Sequence, residues 1–247
     1  MSLHVESIGA GPDLVLLHGW AMHGGVWREL CEQLVPRFRV HRVDLPGYGG
    51  SRLRSFGTFE QVVEQVSEIL PDRCTVWGWS LGGQIALALA LRRPDRVDRL
   101  VLVSTTPCFV RRDEWHWGME EDVLRQFGHG LKQDRIATLD RFIALQALGD
   151  ADAATTARRL RAVLAERNLP DEGTLLAGLE SLLTIDLREA LPRVIQPTLL
   201  LHGENDAIIP AAASRWMQQR LPDSELELLP SRGHAPLLFP AALVARI

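Results

Sequence analysis

Short, uniformly apolar runs recur at both ends of this chain, and they admit few folds. Residues 14–17 (LVLL), 74–77, 99–103 and 198–201 (TLLL) read as such strands, and 38–43 as the next strand after the first. Strands that do not alternate are buried on both sides, which is the habit of a parallel sheet covered by helices. The segments between them fit that habit. Residues 59–70 carry Val62, Val63, Val66, Ile69 and Leu70 at helical spacing, and 81–91 is rich in Ala and Leu. A last strand, 226–229, precedes a turn, and 241–247 reads as a closing helix. From 111 to 184 no strand pattern is found, only amphipathic helical stretches such as 122–127, 136–148 and 154–164. The expected architecture is α/β: a mostly parallel central sheet with helices on both faces. Residues 1–110 and 185–247 form the core, and 111–184 are inserted as a helical cap.

Composition removes several classes of function. The 247 residues are 46% hydrophobic and 23% charged, as in ordinary soluble proteins. The net charge of −4 gives no basic footprint for nucleic acid. No apolar run approaches the roughly 18 residues of a membrane span. The first 20 residues lack a basic segment ahead of their apolar run, so no secretory signal is expected. Cys31, Cys74 and Cys108 are widely spaced and include no CxxC pair, which disfavours disulfides and a zinc ribbon. A reducing cytoplasm and a monomer are expected. The histidines are scattered, with no HExxH, phosphate loop or dinucleotide fingerprint, so neither metal nor cofactor is expected.

The chemistry concentrates in three places. Gly78, Ser80 and Gly82 form G-x-S-x-G. Three fixed residues at about 7% each arise by chance on the order of 0.1 times in such a chain, so context decides. The motif follows a strand and opens a helix, as a nucleophile elbow does. A serine hydroxyl needs a base, and the base needs an orienting carboxylate. In this architecture they follow the serine in the order acid, then histidine. Asp206 lies past a late strand's carboxyl end (LHGEND, 201–206), and His234 lies in the loop after the last strand. Glu204 competes with Asp206 for the acid role. A lone aspartate in a turn is usually a turn former, and a lone loop histidine is usually solvated. The set of three carries the reading, with Ser80 as nucleophile, His234 as base and Asp206 as acid. His202, at a strand end, is a candidate for positioning the loop.

Negative charge developing on a tetrahedral intermediate requires two fixed N–H donors. One is the backbone N–H of Leu81, next after the serine. The other is expected from the loop after the first sheet strand, His18-Gly19-Trp20, with the Trp20 N–H as donor.

HGW (18–20), DLPGYGGS (44–51), GWSLGG (78–83), LHGENDAIIP (201–210) and GHAP (233–236) stand in one order, and in that order the chain resembles the α/β-hydrolases. The tryptophans around Gly78, the PCF of 107–109 followed by RDEW (112–115), and RFIALQ (141–146) are similar to the pimeloyl-[acyl-carrier-protein] methyl ester esterase family of biotin synthesis. The resemblance implies a serine carboxylesterase that removes methanol from an ester carried on acyl carrier protein. It implies a substrate site of Trp20, Ser80, Leu81, Phe142, Ile143, Ala144, Leu145, Gln146 and His234. It also implies carrier docking on cap arginines, here Arg141 and Arg158, although flanking family positions read as Ala137 and Ala154. Arg135, Arg159 and Arg161 are available substitutes. Between 125 and 167 eight basic residues face five acidic ones on an otherwise acidic chain, which suits an acidic partner or an ordinary solvated face. The alternative reading is a hydrolase with the same triad acting on another small ester or a carbon–carbon bond. A non-enzymatic scaffold has no need of the triad, and a dehalogenase needs a carboxylate where Ser80 stands.

Overall fold

The computed structural model describes residues 3–52 and 54–244. The strands are β1 (Val5–Ile8), β2 (Asp13–Leu17), β3 (Arg39–Val43), β4 (Cys74–Trp79), β5 (Val97–Val103), β6 (Thr198–Gly203) and β7 (Ser224–Leu229). They form one seven-stranded sheet in the order β1-β3-β2-β4-β5-β6-β7. Every pairing is parallel except β1 with β3. The middle strands carry apolar runs at their centres because helices cover both faces; Leu14 to Leu17, Val76, Trp77 and Leu200 to Leu201 are all buried. Strand β1 was not expected from sequence. It lies on the sheet edge and half of it is exposed, so its residues carry no continuous apolar signal.

The core helices are α1 (Arg28–Leu34), α2 (Phe59–Ser67) and α3 (Leu81–Arg92), followed late in the chain by α8 (Ala211–Gln218) and α9 (Pro240–Val244). Residues 245–247 of the expected closing helix lie outside the described residues. Helix α2 starts where Thr58 and Gln61 form a reciprocal capping box. Helices α1 and α8, only two turns each, were not singled out from sequence.

Between β5 and β6 the chain builds α4 (Glu121–Gln133), α5 (Arg135–Ala147), α6 (Ala153–Ala165) and α7 (Glu172–Thr184). Three of these start on an aspartate: Asp134, Asp152 and Asp171 accept from the N–H groups of Ala137, Thr155 and Thr174 at 3.0, 3.0 and 2.7 Å. Helix α5 packs on α4 and α6, and α4 packs on α7. The layer is bound to the core by directed contacts. The Trp20 indole donates to the Leu175 carbonyl at 2.9 Å, and His23 Nε2 donates to the Val163 carbonyl at 2.7 Å. Arg28 pairs with Glu166, and Arg159 with Glu29. No helix among the described residues is long and apolar enough to cross a membrane.

From β2 the chain steps outward to β3, then crosses back to β4 on the other side of β2. Strand order reverses there, at the carboxyl ends of β2 and β4, the place where open α/β sheets hold their ligands. The turn at the end of β4 is tightly confined. A side chain on Gly78 would collide with the Gly82 carbonyl, and one on Gly82 with the Leu17 carbonyl. Gly82→Ala should therefore lower stability by about 1–3 kcal/mol through overpacking, read as a lower Tm. Gly173→Ala, in the first turn of α7 with only the Asp171 carboxylate near its Cβ at 3.4 Å, should leave the Tm unchanged or raise it, with a gain of up to about 1 kcal/mol. Equal Tm values for the two variants would contradict this packing.

Candidate active site

Ser80 sits between β4 and α3 at φ +54° and ψ −118°, a backbone region costly to any residue with a Cβ, on the order of 1–3 kcal/mol. Hydrogen bonds hold it there. Its N–H donates to the Val103 carbonyl at 3.0 Å. Its own carbonyl accepts from Gly83 N–H at 2.9 Å, Gln84 N–H at 3.3 Å and the Thr105 hydroxyl at 3.0 Å. The turn lifts the hydroxyl toward the loop after β7. Ser80 Oγ lies 3.0 Å from His234 Nε2, and His234 Nδ1 lies 2.8 Å from Asp206 Oδ2. Ser80 is 7% exposed and His234 1%. Glu204 is exposed, and the carboxylate that reaches the histidine is that of Asp206.

Asp206 is held from all sides. Its Oδ1 accepts the N–H groups of Ile208 and Ile209 at 2.8 and 3.0 Å. His202 Nε2 lies 3.2 Å from Oδ2. Burial works to raise the carboxyl, but the charge of His234 and the hydrogen bonds from His202 and His234 outweigh it. The group stays well below the usual carboxylate range. His202, fully buried, also contacts the Ile209 carbonyl at 2.8 Å and the Ser214 hydroxyl at 2.6 Å, which fixes the acid loop.

The loop after β2 closes the other side. A Cβ on Gly19 would stand 3.3 Å from Ser80 Cβ. His18 sets the conformation of this loop. The Leu45 N–H donates to its Nε2 at 3.0 Å, so the ring proton is on Nδ1, which donates to the Gly19 carbonyl at 2.8 Å. Burial pushes His18 down to about 4, so the ring stays neutral and keeps that tautomer. Fixing the Gly19 carbonyl fixes the peptide plane that carries the Trp20 N–H. Among the described residues neither the Trp20 nor the Leu81 backbone N–H donates to a protein acceptor, and the two flank the serine.

Residues 142–146 do not share one face of α5. The Phe142 ring meets Trp20 edge-on at 4.6 Å and Phe127 at 5.6 Å. Leu145 lines a cavity of about 300 Å³ with Val123, Phe127 and Arg141. Ile143 lies in a separate groove of about 440 Å³ against α6. Ala144 is exposed, and Gln146 is buried with its carbonyl accepting the His234 backbone N–H at 3.2 Å. Arg141 and Arg158 are exposed and bond to Thr138 and Thr155 of their own helices, and Arg158 also acts on the Asp152 carboxylate. Arg159 and Arg161 are engaged with Glu29 and Asp140. Sequence reasoning used Trp79 only as a mark of resemblance and did not foresee that its indole donates to the His234 carbonyl, at 2.8 Å. It also gave no role to His18. Cys108 is buried, and burial pushes its thiol up, so it is inert packing. No group of three or more potential metal ligands occurs among the described residues.

Such an arrangement can activate a hydroxyl against a carbonyl carbon. Residues 12–241 match the model of the α/β hydrolase fold family. A pimeloyl-[acyl-carrier protein] methyl ester esterase of Nitrosomonas europaea is 51% identical over 99% of this chain and 97% of its own length. A protein of the same name from Aromatoleum aromaticum is 45% identical over 92% of each chain. Among solved structures, an esterase from Exiguobacterium antarcticum superposes with a TM-score of 0.89 at 27% identity, covering 98% of this chain and 94% of its own. A bromoperoxidase from Bacillus anthracis superposes at 0.84 with 23% identity, over 98% and 93% respectively. The latter shares the fold alone, since one scaffold hosts many chemistries.

The depressed Asp206 carboxyl has a kinetic consequence. It stays ionised as pH falls below neutrality, so it should contribute no limb of its own between about pH 5 and pH 8. The profile of kcat/KM should show no more than one ascending limb there. His234→Ala should abolish activity. Asp206→Asn should cost up to about 10⁴-fold in kcat while leaving KM nearly unchanged. A second ascending limb in the native profile would contradict the assignment.

Proposed function

This chain belongs to the α/β-hydrolase family, and from that premise we propose that it hydrolyses the methyl ester of pimeloyl-[acyl-carrier protein] in biotin synthesis through Ser80, His234 and Asp206. The continuous relay from Ser80 to His234 to Asp206, at 3.0 and 2.8 Å, carries the reaction type. The near full-length relatives of that name carry the substrate.

In the first half-reaction Ser80 Oγ bonds to the ester carbonyl carbon as His234 Nε2 takes its proton. The carbonyl oxygen becomes an oxyanion, received by the N–H groups of Trp20 and Leu81. Asp206 stabilises the imidazolium. The carbon–oxygen bond to the methoxy group then breaks, and His234 returns the proton so that methanol leaves. In the second half a water gives its proton to His234 and attacks the acyl-enzyme. Ser80 recovers its proton as the free carboxylic acid departs on the carrier.

The acyl chain lies between core and cap against Trp20 and Phe142. The carrier protein, an acidic partner, docks on the outer cap. Among the described residues Lys132, Arg135 and Arg141 have no carboxylate within ion-pair distance, and Arg158 has only the looser charge of Asp152. That leaves a face on α4, α5 and the start of α6 with several cations outside ion pairs. Such a face raises the encounter rate with an acidic protein at some distance from the chemistry.

Ser80→Ala should lower ester turnover by about 10³-fold or more with the fold intact. Specificity separates into two effects. Phe142→Ala should weaken turnover of carrier-linked and small synthetic esters alike, because both use the same wall. Reversing Arg141 and Arg158 to Glu should cost about tenfold in kcat/KM on the carrier-linked ester only. That reaction should also be the more salt-sensitive, since exposed charges are screened over about 8–10 Å. Equal loss on both esters in the double variant would make these arginines structural instead.

A further inference from the structure

The last two residues of α5 and the connection that follows them, 146–151 together, lie across the two loops that carry Asp206 and His234. The Gln146 carbonyl accepts the His234 N–H at 3.2 Å, and the Ala151 N–H donates to the Ser231 carbonyl at 2.9 Å. On the other loop the Asn205 side-chain amide donates to the Gly149 carbonyl at 3.2 Å. The approach is close: a Cβ on Gly233 would stand 2.6 Å from the Leu148 carbonyl.

Asp150 is enclosed in this junction. Its side chain is 0% exposed, and its nearest cation is Arg232 Nη1 at 3.8 Å from Oδ1. Neither carboxyl oxygen has a hydrogen-bond partner among the described residues. The Gly233 N–H and the Thr156 hydroxyl face it and both favour its charged form, although neither meets it in full hydrogen-bond geometry. Burial pushes the carboxyl above its ordinary value, and the charge of Asp206 pushes the same way. A buried group left short of partners is rare and requires a reason. Its neighbours supply one. Arg232 and Gly233 immediately precede His234, and Thr156 lies in the first turn of α6.

We propose that Asp150 is a positioning residue, whose carboxyl holds the Arg232–Gly233 turn against the cap and so sets the His234 ring within reach of both Ser80 and Asp206. It touches neither substrate nor reacting atoms. It acts through the point at which His234 leaves the turn, and the same carboxyl links the turn to the base of α6.

The proposal rests on the Ser80–His234–Asp206 assignment, so the Ser80→Ala protein is measured beside it. Asp150→Ala, Asp150→Ser and Asp150→Asn are compared for Tm, and for kcat and KM on a small synthetic ester that needs no carrier. Misplacing a catalytic group by about 1 Å costs on the order of 10²-fold. Asp150→Ala and Asp150→Ser are expected to lose about 10- to 100-fold in kcat with KM within about twofold. Asp150→Asn, which keeps an acceptor of the same shape, is expected to restore most of the rate. Should the alanine protein not fold, the serine and asparagine pair gives the same contrast. Wild-type kcat in Asp150→Ala or Asp150→Ser overturns the proposal, as does a loss in Asp150→Asn equal to theirs. If Ser80→Ala keeps its activity, the assignment falls and this proposal with it. If only Ser80→Ala is inactive, the assignment stands and Asp150 has no part in it.

Discussion

Helix α3 begins so close to β2 and β4 that Gly82 rests on the Leu17 carbonyl and Gly78 on that of Gly82. This contact leaves Ser80 no relaxed conformation. The residue is forced to positive φ, and its hydroxyl is thrust out at the sheet's carboxyl edge. Strain on the order of 1–3 kcal/mol is offset by bonds to the Ser80 carbonyl and N–H from α3, Thr105 and β5. The same contact places the loop after β2 beside the serine, since the strand that Gly82 touches ends at that loop. One close approach thus sets both the proposed nucleophile and the N–H groups proposed to receive its oxyanion.

Two buried groups near this turn meet opposite fates, for one physical reason. Burial disfavours charge unless partners restore what water supplied. His18 has a backbone donor on one nitrogen and a carbonyl on the other, so it stays neutral and acts as a strut between the Gly19 and Leu45 loops. Asp206 has two backbone amides and two histidines, so it stays charged despite full burial. The proposed relay needs this charge for the moment when the His234 ring becomes an imidazolium. Trp79 completes the frame: its indole ties the His234 carbonyl to the residue preceding Ser80.

The cap contributes more than a cover. Through Phe142 it packs on Trp20 of the loop after β2, and through 146–151 it reaches the loops of Asp206 and His234. Among the described residues Lys132, Arg135 and Arg141 of the cap lie outside ion pairs, whereas its seam with the core uses ion pairs such as Arg28 with Glu166. Charge is thereby spent on cohesion at the seam and left outside ion pairs at those three.

Much of this was legible in the order of residues. Buried parallel strands announce themselves as short apolar runs, because neither face meets water; the edge strand β1 does not, because half of it does. The glycines of 78–83 imply a tight turn, since only they admit the close backbone, and the order of serine, acid and histidine follows from connectivity. Sequence alone left Glu204 and Asp206 as rival acids. Their separation came from the turn after β6, which buries one side chain and exposes the other. Nor does spacing reveal that Gln146 meets His234, that His18 carries its proton on Nδ1, or that 142–146 fan around α5. Periodicity and local chemistry are written along the chain. Which loop leans on which, and which carboxyl is sealed between them, depends on contacts between segments far apart in sequence, and these exist only once the sheet, its crossovers and the cap have closed together.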